Sequence, residues 1–110
     1  MPYIKAGLRH KIDPLIDRLA AEISSQAKES GDPGAFAGML NYTCTRLALL
    51  LARRQFGAMR YWLVALITGT FKNIADEFYR RLAAPYEDKQ KDASGDVDLF
   101  QEYLEEIQKM

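Results

Sequence analysis

Apolar side chains recur along this chain at three- and four-residue intervals, and no stretch alternates with period two, so the sequence predicts helices and no strands. The first helix is expected over about residues 14–28. Asp13 is a good N-cap, and Pro14 suits the first helical position, where its missing N–H costs nothing. Leu15, Ile16, Leu19, Ile23 and Ala27 form its apolar stripe, and ESGDPG ends it. Asp32-Pro33 repeats the cap-plus-proline start, and a second helix is expected over about 34–56. Phe36, Leu40, Thr43, Cys44, Leu47, Leu50 and Leu51 fall on one face of it.

The second helix carries another band of large side chains outside that stripe: Tyr42, Arg46, Leu49 and Arg53. Tyr and Arg cover apolar surface with their bodies while keeping polar tips available. A helix with two such faces suits a bundle centre or a subunit interface. Gly57 marks its end. A third helix is expected over about 59–84, with Leu63, Ile67, Thr70, Phe71, Ile74, Phe78 and Leu82 as its stripe. Gly69 inside it costs about 1 kcal/mol, which close packing or a bend would explain. Pro85 predicts the boundary. A polar connector follows at about 86–98, with room for a short helix at 86–92. Leu99, Phe100, Tyr103, Leu104 and Ile107 mark a last amphipathic helix capped by Asp96 or Asp98. The expected fold is an all-α small helical bundle, with three main helices and a shorter C-terminal one, in a single domain over 1–110. Short loops predict that the second and third helices pack as an antiparallel pair through Leu40, Cys44, Leu47, Leu51, Leu63, Ile67, Ile74 and Phe78.

Charge adds a polarity that the pattern does not show. The formal net charge is zero, yet residues 46–81 carry about +5 and residues 82–110 about −5. Such a chain neutralises itself, pairs with a partner, or holds an anion on its basic middle. One cysteine, Cys44, excludes an intrachain disulfide and suits a reducing compartment; near the core stripe, it is expected to be a buried, inert thiol. The start of the chain has no apolar leader, and the runs WLVALI and LALLLA are short of a membrane span, so a cytoplasmic, non-membrane protein is expected.

The chemistry-bearing residues are sparse. His10 stands alone, no glycine-rich phosphate loop is present, and no metal-ligand spacing or cofactor motif occurs. Asp13 with Asp17, and Glu102 with Glu105 and Glu106, share helix faces as solvated carboxylates commonly do. A Mg²⁺-dependent nucleotide or phosphate-ester hydrolase would need Asp13, Asp17, Asp76 and Glu77 to converge, with Arg80 or Arg81 on phosphate. Nucleic-acid binding would use Arg53, Arg54, Arg60 and Lys72. The densest group of interface-type residues is Tyr79, Arg80, Arg81, Tyr86 and Glu87.

The blocks RHKIDPLIDRLA, LNYTCTRL and EFYRRLAAPYEDKQKDASGDV together resemble a family of small bacterial and phage proteins with no assigned activity. The resemblance covers most of residues 3–97 and leaves the tail 98–110 outside. It implies a helical fold and transfers no chemistry. Members carry an acidic residue just before the Leu-Asn-Tyr block, where this chain has Met39, and a glutamate where it has Lys72. If those acids serve a function in relatives, this chain lacks them. The reading reached from the sequence is a small helical interaction or scaffold protein that self-associates as a homodimer or larger homo-oligomer. No catalytic residue, cofactor or metal is expected. The nucleic-acid accessory protein and the hydrolase stand as alternatives.

Overall fold

The computed structural model describes all residues 1–110. The chain is all-α, without strands. Its helices are α1 (Ala6–Ser30), α2 (Ala35–Phe56), α3 (Tyr61–Phe78), α4 (Ala84–Ser94) and α5 (Asp98–Gln108). A π-helical turn, Tyr79–Ala83, joins α3 to α4, so residues 61–94 form one long helix beside three others, and the C-terminal helix is short, as the pattern predicts. The chain forms two compact units, 1–70 and 71–110.

Both expected proline boundaries are corrected. Helix α1 begins at Ala6, not at Asp13-Pro14, and runs through Pro14. Proline removes one backbone hydrogen bond and crowds the carbonyl four residues earlier. That carbonyl belongs to His10, on an exposed turn, where water can satisfy it. At Pro85 the helix also continues. Pro85 falls in the first turn of α4, and the wider π turn just before it takes up the crowding. The stretch expected as a connector is therefore helical as far as Ser94, where Gly95, with φ 89°, ends it.

The glycine stops between the helices are met. Gly31 takes φ 68° as the left-handed cap of α1 and donates to the Lys28 carbonyl. The Asp32 carboxylate accepts from the Gly34 N–H at 2.8 Å, turning the chain into α2. Gly57, with φ 77°, ends α2 and donates to the Arg53 carbonyl at 2.9 Å.

In the first unit α1 packs on α2. The two buried hydrophobic residues, Ala52 (5 % exposed) and Leu63 (2 %), lie on either side of the Gly57 turn. Phe56 and Trp62 meet edge-to-face there, with ring centroids 5.1 Å apart. Within the first unit, the expected antiparallel packing of α2 along the start of α3 is not formed. Of its residues there only Leu63 is buried; Leu40, Leu47 and Leu51 stay 49–51 % exposed. Cys44 is half-buried rather than buried. The stripes exist, but the short turn at Gly57 does not fold them onto each other. Gly69 is not a close-packing site either: a Cβ there would meet nothing within 4 Å.

In the second unit α4 continues directly from the π turn that precedes it, and no residue is buried. Helix α5 has Val97 as its N-cap residue, with no side-chain cap, so neither Asp96 nor Asp98 caps it as expected. Asp96 instead accepts from the Val97 N–H at 2.8 Å and from the Gln101 side chain, while Asp98 accepts from the Leu99 N–H at 2.9 Å. The Gln101 contact, then the Val97 N–H, hold the Asp96 carboxyl below its ordinary value.

Candidate functional site

The Tyr42, Arg46, Leu49, Arg53 band repeats at four, three and four residues, which keeps it on one line along α2. The structure places all four side chains in one open cleft of about 290 Å³. Thr45 and Leu50 of α2 complete one wall, and Gly57 and Met59 of the following turn close the end. Those four residues were not foreseen. Thr45 and Leu50 flank the band by helical geometry; Met59 reaches it only because Gly57 turns the chain. The Thr45 hydroxyl donates to the Asn41 carbonyl at 2.7 Å, so it brings little free polarity to the wall.

Electrostatics make this cleft unusual. Between Asp32 and Asp76 the chain has no carboxylate, but it has Arg46, Arg53, Arg54, Arg60 and Lys72. None of these five cations is ion-paired within the chain. Arg53 and Arg54 lie in the last turn of α2, where the helix dipole favours cations. The cleft is thus an apolar floor, from Leu49, Leu50 and Met59, carrying two guanidinium groups and a phenol.

A second, more apolar groove of about 510 Å³ lies where the predicted stripes of α1 and α2 face each other. Ile16, Leu19 and Ile23 line one side, and Phe36, Leu40 and Thr43 the other. Its charged lining is one lysine, Lys28, and one carboxylate, Asp32.

The Tyr79–Glu87 group is held together within its own unit. The Tyr79 hydroxyl donates to the Glu87 carboxylate at 2.8 Å across the π turn. That hydrogen bond, then the Glu87 charge, raise the phenol above its ordinary 10.0. Arg80 grips Glu77 through a two-pronged contact at 3.1 and 3.0 Å. Arg81 and Tyr86 are exposed on the same composite helix. These contacts order the helix around its π turn.

No group of three or more His, Cys, Asp or Glu side chains is placed to hold a metal ion. Asp13 and Asp17 are exposed on α1, and Glu77 is engaged by Arg80.

Helix α2 is long and apolar enough, by length and composition, to cross a membrane. Arg46 near its middle opposes that, since an arginine at the bilayer centre costs about 2.5–3.5 kcal/mol. The same arginine has a use at a protein interface.

The chain belongs to the family described as "Domain of unknown function (DUF6899)", whose model matches residues 1–97. Helix α5 lies beyond the matched residues. No curated protein and no solved structure matches the chain.

Proposed function

We propose that this DUF6899 member is a small helical interaction protein whose working form is a homo-oligomer, most simply a two-fold dimer. The observation that supports this is its surface. In the first unit only Ala52 and Leu63 are buried, while Phe36, Leu40, Leu47, Leu49, Leu50 and Leu51 of α2 stay 40–73 % exposed. In the second unit no residue is buried. Exposed apolar surface on this scale marks an interaction face. Helical stripes that find no partner within one chain find one on a neighbour.

The role is non-catalytic in this reading. What favours it is that Glu77, one of the candidate carboxylates, is engaged by Arg80. The single free Cys44 supports a reducing, cytoplasmic setting, and the resemblance of the three sequence blocks supports a bacterial or phage-related one. Light scattering over a concentration series is expected to give at least twice the 12.5 kDa chain mass. A monomer mass at the highest soluble concentration would sink the reading.

Nucleic-acid association is the second reading, and the unpaired Arg53, Arg54, Arg60 and Lys72 are what favour it. Protein contact is preferred because Arg53 shares its cleft with Leu49, Leu50 and Met59, an apolar floor that suits a helix better than phosphates. Fluorescence anisotropy with labelled duplex and single-stranded DNA and RNA at low salt is expected to show no binding. Binding that weakens steeply with added salt, and is reduced by Arg53→Ala with Arg54→Ala, would reverse the preference.

A further inference from the structure

We propose that α5 of one chain docks in the Tyr42–Arg53 cleft of a second copy, in reciprocal exchange. This rests on the self-association reading and names the element that would carry it. Helix α5 is the most sharply divided helix in the chain. Leu99, Phe100, Tyr103, Leu104 and Ile107 fall on one face at helical spacing and are 52–64 % exposed. Phe100, Leu104 and Ile107, at i, i+4 and i+7, are the anchors an amphipathic helix offers to a groove.

Charge selects the groove. Helix α5 has Asp98, Glu102, Glu105 and Glu106 and no Lys or Arg. The groove between α1 and α2 offers those acids one cation, Lys28, offset by the Asp32 carboxylate that also lines it. The α2 cleft presents Arg46 and Arg53, with no carboxylate anywhere between Asp32 and Asp76. Asp98, Glu102 and Glu106 form one row along the border of the apolar face and span about 12 Å at 1.5 Å per residue; Arg46 and Arg53 span about 10.5 Å. An α5 laid along α2 therefore sets its apolar face on Leu49, Leu50 and Met59 and its acidic row beside the two guanidinium groups. Each chain has one such helix and one such cleft, so a two-fold exchange satisfies both and closes the assembly. Because α5 lies outside the residues matched by the family, this contact is separable from an assembly built on residues 1–97.

Charge exchange between full-length chains tests it. One variant carries Arg46→Glu and Arg53→Glu; the other carries Glu102→Arg and Glu106→Arg. Each alone is expected to associate at least about tenfold more weakly than the wild type, because like charges then face each other. An equimolar mixture is expected to recover wild-type association, since both clefts of the mixed dimer then meet an opposite charge. A chain carrying all four changes recovers too. Recovery in that chain without recovery in the mixture would mean that α5 docks on its own chain, and would overturn the exchange. As a check independent of charge reversal, a benzophenone amino acid in place of Tyr103 is photolysed in a mixture of ¹⁵N-labelled and unlabelled chains. Cross-links to residues 42–59 of the chain with the other isotope are expected. Cross-links confined elsewhere would overturn the proposal while leaving self-association standing. A wild-type monomer would remove both.

Discussion

Replacing Leu63 with alanine is expected to lower stability by about 2–5 kcal/mol, the range for a large-to-small change at a fully buried site. Leu63 sits in the first turn of α3 and is 2 % exposed, the only large side chain so enclosed. It lies beside the one corner of the first unit where aromatic rings also meet, Phe56 against Trp62. Loss of its side chain leaves a cavity at the turn that directs α3 and that also carries Met59 into the cleft. Urea denaturation at fixed protein concentration reads the effect, and a change below about 1 kcal/mol would place Leu63 outside the core. Leu47 provides the contrast. It is 49 % exposed, so Leu47→Ala removes less buried area within the chain and is expected to cost less than Leu63→Ala.

The first three helices were legible in the sequence because their periodicity is strong and the glycine stops at Gly31 and Gly57 have the positive φ that glycine serves. The two prolines misled for a shared reason. A proline is read as a boundary when its lost hydrogen bond must be replaced within the protein. Pro14 lies on an exposed turn, and Pro85 follows a π turn that gives its ring room, so neither needs one. Neither circumstance is visible in residue identities. The Tyr42, Arg46, Leu49, Arg53 band was legible because a single helix sets its geometry, and the structure gathers it into one cleft. Met59 was not, because its position depends on the direction the chain takes after Gly57. The pairing of α2 with α3 failed at a different level. Apolar stripes show that a face must be covered, but they do not say by which chain.

That distinction sets the last expected result: the thermal midpoint falls as the protein is diluted, by about 3 °C for each tenfold. Two buried side chains are worth only a few kcal/mol, at about 1.5–3 kcal/mol for a large one. Ordering each residue's backbone costs about 1–2 kcal/mol. A helix as short as α5, of 11 residues, is marginal in water without a packed face. A single chain with this much uncovered apolar surface therefore has little to hold its helices, and in the proposed assembly covering by a second copy supplies the missing burial. When folding and association are coupled, stability follows protomer concentration. A tenfold dilution shifts the balance by about 1.4 kcal/mol, and a dimer of this length unfolds with an entropy near 0.46 kcal/mol/K, which together give the 3 °C figure. Circular dichroism at 222 nm over a hundredfold range of concentration measures it. A midpoint that does not move across that range, with the helical signal intact at the lowest concentration, would show that one chain folds without a neighbour.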